Sequence, residues 1–223
     1  MKGKKVLIVG GSSGIGLALA KRVSKKGGEV VIASRKAEEQ KQKLIKNEWL
    51  EQCSFISFDI TSISDINEMF SKAGAVDHIV VTVKSPLVTG SFLNLDSESV
   101  FSAFNTKLWG QYNLAKAGAG KIKHGGSIVL TSGSLGTRPI QDYSTMSIIC
   151  GAVNSLCKSL ALELAPIRVN AVAPGFLTLK TMEDIIPLGL GDSDQLANSY
   201  LFLMEDSYTT GTTIVSDGGA ALV

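Results

Sequence analysis

The chain has 223 residues, a formal net charge of +2, and 44% apolar against 19% charged residues. This composition supports a folded domain with a full core and disfavours disorder, while the absence of a long basic run argues against a nucleic-acid-binding surface. The apolar run Val6–Val9 is too short for the core of a secretion signal, and we expect no membrane-spanning segment. Cys53, Cys150 and Cys157 lack metal-ligand spacing, so we expect no metal site, and thiols kept reduced in a cytoplasmic protein.

Short β-branched runs alternate along the chain with longer amphipathic stretches. In chain order, the runs that predict buried strands are KVLIV, EVVIAS, CSFISF, DHIVVTV, GSIVLTS, IRVNAVA and TTIVSD. The stretches between them predict helices, and such alternation is typical of right-handed βαβ units. We therefore expect residues 1–223 to form a single Rossmann-type doubly wound α/β domain, with a mostly parallel seven-stranded sheet and helices on both faces. A ligand would lie beyond the carboxyl ends of the strands.

The first predicted strand leads into a glycine-rich turn, VGGSSGIG, at the start of the first predicted helix. Gly10 would permit a tight turn, Gly14 would let the backbone approach a ligand, and Gly16 would let the helix approach the sheet. The helix start offers free N–H groups to a diphosphate, and Ser12 and Ser13 add hydroxyl groups. An ordinary glycine turn is the alternative, but the strand and helix on either side favour a dinucleotide site.

The end of the second predicted strand, VVIASRK, bears on the choice of dinucleotide. It has no carboxylate to bind the ribose hydroxyls of NAD. Ser34 and Arg35 instead offer a hydroxyl and a guanidinium, which suit the 2′-phosphate of NADP(H). The alternative is a solvated basic loop.

These motifs resemble the short-chain dehydrogenase/reductase family over nearly the whole chain. FDIT is similar to the family's adenine-contacting segment, FNTKLWG to the helix that carries its active-site asparagine (here Asn105), and APGFLT to its nicotinamide loop. The resemblance implies NADP(H) as cofactor, a homodimer or homotetramer, and hydride transfer between the nicotinamide and a small carbonyl or alcohol. Together, these motifs predict the following cofactor-binding residues: Gly10, Ser12, Ser13, Gly14, Ile15, Gly16, Ser34, Arg35, Asp59, Ile60, Thr82, Pro174, Gly175 and Thr178.

The chain departs from the family at its reactive positions. The resemblance implies a serine, a tyrosine and a lysine, whose charge lowers the tyrosine pKa. In an ungapped comparison, these positions fall on Gly133, Met146 and Cys150, and Tyr143 stands three residues before the expected tyrosine. The segment after Thr178 is also shorter than the family's usual lid.

Two hypotheses follow for function. In the first, the chemistry has moved: Tyr143 is the acid, Ser132 or Ser134 orients the substrate, Lys84 supplies the positive charge, and Asn105 keeps its family role. In the second, the chain is a non-catalytic NADP(H)-binding sensor or scaffold subunit, and Tyr143 packs at the start of a helix. We expect neither nucleic-acid nor membrane partners, and His78 and His124 are predicted to be surface histidines.

Overall fold

The computed structural model describes residues 1–44, 47–175 and 183–223. Its centre is a sheet of seven parallel strands in the order β3-β2-β1-β4-β5-β6-β7. The strands are β1 (Lys5–Val9), β2 (Glu29–Ser34), β3 (Cys53–Ser57), β4 (Val76–Val81), β5 (Ile122–Thr131), β6 (Arg168–Pro174) and β7 (Thr213–Ser216). The order reverses between β1 and β4, which is where open sheets of this kind bind ligands.

Helices cover both faces of the sheet. They are α1 (Gly14–Lys25), α2 (Ala37–Leu44), α3 (Ile63–Ala73), α4 (Ser97–Phe104), α5 (Gly110–Gly118), α6 (Ser144–Glu163) and α7 (Ser193–Glu205). A π-helical turn, Asn105–Trp109, joins α4 to α5 without leaving helical backbone angles at either junction. The predicted doubly wound α/β fold is confirmed.

The core lies in two layers because successive side chains of a strand point to opposite faces. Leu7 and Val9 of β1 belong to the layer covered by α3, α5 and α6. Val6 and Ile8 belong to the layer covered by α1 and α7. All four side chains are fully buried, which fixes the register of β1 and therefore the position of the turn that follows it.

Helix α6 is long and apolar enough to cross a membrane by length and composition alone, contrary to the expectation from sequence. Val153 and Cys157 on one of its faces are fully buried against the sheet. Core helices of soluble proteins commonly pass the same test. The packing of α6 on the sheet explains its apolar character without a membrane.

His78 lies inside β4 and is buried, so the prediction of a surface histidine is wrong at this position. Its Nδ1 atom shares a hydrogen bond of 2.8 Å with the Ser127 hydroxyl of β5. Burial lowers the pKa of His78 to about 4, and the positive charge of Arg168 adds to the effect. His124 is exposed, as predicted.

Candidate functional site

The glycine turn after β1 is packed too tightly for side chains. Gly10 has φ +83°, and its N–H donates to the main-chain oxygen of Ala33 at 2.8 Å. A Cβ on Gly10 would stand 2.9 Å from the main chain of Thr82. A Cβ on Gly16 would stand 2.5 Å from the main-chain oxygen of Gly10, so glycine at both positions brings α1 against the ends of β1 and β4.

The N-terminus of α1 opens onto this turn. The Ser13 hydroxyl makes no capping hydrogen bond, and the first turn of α1 contains no acidic residue. Around Gly14, which has φ +50°, the described atom nearest to a Cβ would be the Ser193 hydroxyl at 3.8 Å. Ile15 follows in the first turn of α1 and is half-buried. Free N–H groups, the positive end of the helix dipole and open space together fit a diphosphate.

The carboxyl end of β2 is hydrogen-bonded to the same turn. The Ser34 hydroxyl donates to the Ser12 hydroxyl at 2.8 Å. Arg35 and Lys36 follow directly and are exposed. Two cations and no carboxylate therefore come next to the turn, as a 2′-phosphate requires.

Asp59 and Ile60, at the next strand end, have side chains held by the protein itself. The Asp59 carboxylate accepts hydrogen bonds from the Thr61 N–H at 2.9 Å and the Thr61 hydroxyl at 2.8 Å. Ile60 is buried against Gly110, and a Cβ on Gly110 would stand 3.0 Å from the Ile60 side chain. A nucleotide base would therefore meet this segment through its main chain and the fixed Asp59 carboxylate.

Thr82, at the end of β4, is also engaged within the protein. Its N–H donates to the main-chain oxygen of Val9 at 2.7 Å, and its hydroxyl donates to the same oxygen at 3.0 Å. The structure thus gives Thr82 a role in fixing the glycine turn.

The end of β6 borders a cavity of about 220 Å³. Pro174 is the last residue of β6, and the Gly175 N–H donates to the main-chain oxygen of Ser216 at 3.0 Å. A Cβ on Gly175 would stand 2.7 Å from Asp217 Cα, so only glycine fits there. The residues that line the cavity are Gly175, Leu188, Gly189, Gly191, Gln195, Leu196, Ser216, Asp217 and Gly218. Thr178 lies outside the described residues.

Gly133 and Cys150 lie against each other at the carboxyl end of β5. A Cβ on Gly133 would stand 2.9 Å from the Cys150 sulfur. Cys150 and Met146 are both buried on α6. These three residues thus place a glycine, a thiol and a thioether at the positions where the sequence comparison expects serine, lysine and tyrosine, and the Cys150 sulfur leaves no room for a Cβ at Gly133.

The predicted catalytic residues lie in different elements and differ in their exposure to solvent. Ser132 is buried, and its hydroxyl donates to the main-chain oxygen of Cys150 at 2.9 Å, which ties the β5 loop to α6. Ser134 is buried in the 3₁₀ turn that follows. Tyr143 is half-buried at the N-cap of α6, Asn105 begins the π-helical turn, and Lys84 is exposed.

Lys107 is the residue that sequence reasoning missed. Its Nζ lies 3.9 Å from the point where a Gly133 Cβ would stand, and the Pro174 main-chain oxygen lies 3.9 Å from that point. Burial lowers the pKa of Lys107, and the nearby Cys150 thiol opposes that shift. The available signal was weak: a single lysine two residues after Asn105, next to apolar Leu108 and Trp109.

Comparison with known proteins identifies the family. The model described as enoyl-(acyl carrier protein) reductase matches residues 9–221. The chain belongs to the short-chain dehydrogenase/reductase family. Its similar relatives include the short-chain dehydrogenase/reductase ATR9 of Stachybotrys chlorohalonatus, 32% identical over all of this chain and 98% of that protein. The 3alpha-hydroxysteroid dehydrogenase of Mediterraneibacter gnavus is also 32% identical, over 99% of this chain and 98% of that protein.

Solved structures of short-chain dehydrogenases agree with this assignment. A small-chain dehydrogenase in complex with NADPH superposes with a TM-score of 0.85 at 31% identity, covering all of both chains. The alignment with the Stachybotrys relative extends over 255 positions, more than the 223 residues of this chain, so that relative carries insertions. This chain is shorter than that relative within the aligned region.

Proposed function

We propose that this chain binds NADP(H) and transfers hydride between its nicotinamide and a small carbonyl or alcohol. The observation that supports the proposal most is the turn after β1, where Gly10 and Gly16 leave no room for side chains and α1 presents an uncapped N-terminus. The Ser12–Ser34 hydrogen bond joins that turn to the end of β2, and Arg35 follows it. The NADPH complex of a related small-chain dehydrogenase supports the choice of cofactor.

Each part of the site has a proposed role in binding. The N–H groups at the start of α1 hold the diphosphate, and Arg35 pairs with the 2′-phosphate. Pro174 and Gly175 lie along the nicotinamide, which when bound supplies or accepts the hydride.

The substrate is proposed to enter between the end of β5 and the start of α6. Tyr143 and Ser134 contact its oxygen, while Ser132 holds the loop. Asn105 shapes the helix beside the pocket, and the exposed Lys84 lies at its rim.

A second function, NADP(H) binding without catalysis, is favoured by a different observation. Gly133, Met146 and Cys150 replace all three reactive side chains at the family's usual positions, and both Met146 and Cys150 are buried. A fold of this type does not by itself guarantee turnover. Such a protein would act as a sensor or as a scaffold subunit.

We propose that the chain forms a homodimer or homotetramer in the cytoplasm. Phe101, Trp109, Tyr112 and Ile148 are between 41% and 67% exposed on the stretch from α4 to α6. Trp109 and Tyr112 pack edge to face with their ring centroids 5.8 Å apart, which gives a rigid apolar surface. A second copy would cover this surface, and the net charge of +2 gives no reason to expect nucleic acid as a partner.

A turnover assay separates the two functions. The protein, saturated with NADPH, is mixed with a panel of aldehydes, ketones, quinones, 3-oxoacyl thioesters and 3-ketosteroids, and the loss of NADPH absorbance is followed. Turnover of one class that falls at least about 10-fold in Tyr143→Phe supports the oxidoreductase. Tyr208→Phe, at a side chain that is 95% exposed, is the matched control and keeps the wild-type rate. Tight NADPH binding without turnover of any compound supports the non-catalytic function.

A further inference from the structure

The π-helical turn places Lys107 at the carboxyl edge of the sheet. Such turns shift the following residues around the helix axis and are frequent at functional sites. Gln111, which is 1% exposed, fixes the turn from the first part of α5. Its amide nitrogen donates to the main-chain oxygens of Lys107 at 2.7 Å and Thr131 at 3.0 Å, and its amide oxygen accepts from the Thr131 N–H at 2.8 Å. The backbone of Lys107 is therefore tied to the end of β5.

The Lys107 amine lies near Gly133. Its Nζ and the Pro174 main-chain oxygen each lie 3.9 Å from the point where a Gly133 Cβ would stand, and the Cys150 sulfur lies 2.9 Å from that point. Cys150 is the titratable group from a neighbouring element whose charge acts on Lys107. Within residues 1–44, 47–175 and 183–223, no carboxylate forms an ion pair with Lys107.

An amine held in this way is poorly suited to a purely structural role. A partly buried cation without a counter-ion costs free energy, which a structural position would avoid by using an apolar residue. A lysine whose pKa is lowered, in contrast, gives up its proton more readily than a solvated lysine, as a general acid must. The position next to Gly133 and Cys150 is also where the family's reactive side chains would meet.

We propose that Lys107 is the proton-donating residue of this active site and that Gln111 positions it. This inference rests on the proposed function. During reduction, the carbonyl carbon accepts a hydride and becomes bonded to hydrogen, while the C=O π electrons move to oxygen. The oxygen takes a proton from the Lys107 ammonium, leaving an alcohol, a neutral amine and the oxidised cofactor. The amine then regains its proton from water, and oxidation of an alcohol follows the reverse path.

The first test needs neither cofactor nor substrate. The full-length protein is reductively methylated with ¹³C-formaldehyde, and each dimethyl-lysine signal is titrated by NMR. Lys107→Arg assigns the Lys107 signal, and Lys116→Arg assigns an exposed lysine on α5 as the control. We expect Lys107 to titrate at a lower pH in the wild-type protein than in Gln111→Leu, which releases the π-helical turn from β5, while the Lys116 signal is the same in both proteins. Titration of Lys107 at the same pH in both proteins would overturn the inference.

The second test measures NADPH affinity and turnover in the same variants. Removal of a general acid typically costs about 100-fold or more in rate. We expect that loss in Lys107→Met and in Lys107→Arg, because arginine keeps the charge but does not release a proton, while NADPH affinity changes by less than about 3-fold. Lys116→Met keeps the wild-type rate. Wild-type turnover in Lys107→Met overturns the role of Lys107 alone, whereas failure of the wild-type protein to bind NADPH overturns the proposed function as well.

Discussion

The side-chain amide of Gln111 lies 2.7 Å from the main-chain oxygen of Lys107 and 2.8 Å from the main-chain N–H of Thr131. One buried side chain thus connects the π-helical turn to the last residue of β5. The two elements that border the candidate active site are held in a fixed relation by hydrogen bonds that water cannot replace. A change at Gln111 should affect both the stability of the fold and the position of Lys107.

We expect Gln111→Leu to lower the free energy of unfolding by about 2 kcal/mol, because it removes the side-chain hydrogen bonds to the main chains of Lys107 and Thr131. Urea unfolding followed by circular dichroism measures the change. Lys116→Leu, at an exposed site on the same helix, should stay within about 0.5 kcal/mol of the wild type. Equal stability of Gln111→Leu and the control would contradict the stabilising role of the Gln111 hydrogen bonds.

We expect Gly16→Ala to weaken NADPH binding by at least about 10-fold and to lower stability, because its methyl group would stand 2.5 Å from the main-chain oxygen of Gly10 and 2.8 Å from Gly11 Cα. The contact involves backbone, so the whole glycine turn would have to shift. Gly120→Ala is the matched control, since a Cβ there meets no described atom within 4 Å. Fluorescence titration with NADPH compares the two variants, and equal affinities would show that the turn is not the diphosphate site.

The buried His78 makes stability depend on pH. Its pKa is about 4 in the folded protein against 6.5 for the free side chain. Between these values the unfolded state binds the proton and the folded state does not, so the free energy of unfolding falls as the pH decreases from 6.5 toward 4. The loss attributable to His78 approaches about 3 kcal/mol at the acid end.

Urea unfolding at several pH values tests this dependence. His78→Gln keeps a polar partner for Ser127 but does not titrate, so it should flatten the dependence between pH 6.5 and 4. His124→Gln replaces the exposed histidine and should leave the dependence as in the wild type. The idea fails if His78→Gln retains the full wild-type slope.

We expect Arg35→Asp to weaken NADPH binding by about 100-fold and NADH binding by less than about 5-fold, because only NADPH carries a 2′-phosphate for the guanidinium to pair with. Lys25→Asp makes the same charge change at an exposed residue in the last turn of α1, and it controls for the general electrostatic effect. Equal losses for the two nucleotides would contradict the assignment of the 2′-phosphate to Arg35.

The sequence predicted the sheet well because the strands are short β-branched runs, and β1, β2, β4 and β6 are buried along almost their whole length. Helix interruptions were harder to predict. The stretch between DHIVVTV and GSIVLTS, predicted to be helical, contains the π-helical turn Asn105–Trp109, whose backbone is held by tertiary contacts such as the Gln111 hydrogen bonds. The interpretation of His78 was wrong although the predicted strand DHIVVTV contains it, because the histidine finds its partner Ser127 on a strand far along the chain.

The candidate site was predictable where a motif is local. The glycines of the first turn, Ser12 and Ser34 could be read from two strand ends, and the structure brings them together. Lys107 could not be found in this way, because its proximity to Gly133 and Cys150 depends on how the π-helical turn, β5 and α6 pack. A local sequence pattern does not show that three segments distant in sequence contact one another in the fold.

Direct titration of the purified wild-type protein with NADPH and NADH tests the central claim most directly. Nucleotide fluorescence should report saturable binding of NADPH in the micromolar range or tighter, with NADH at least about 10-fold weaker. The absence of saturable binding of either nucleotide would contradict the assignment of the turn after β1 as a dinucleotide site.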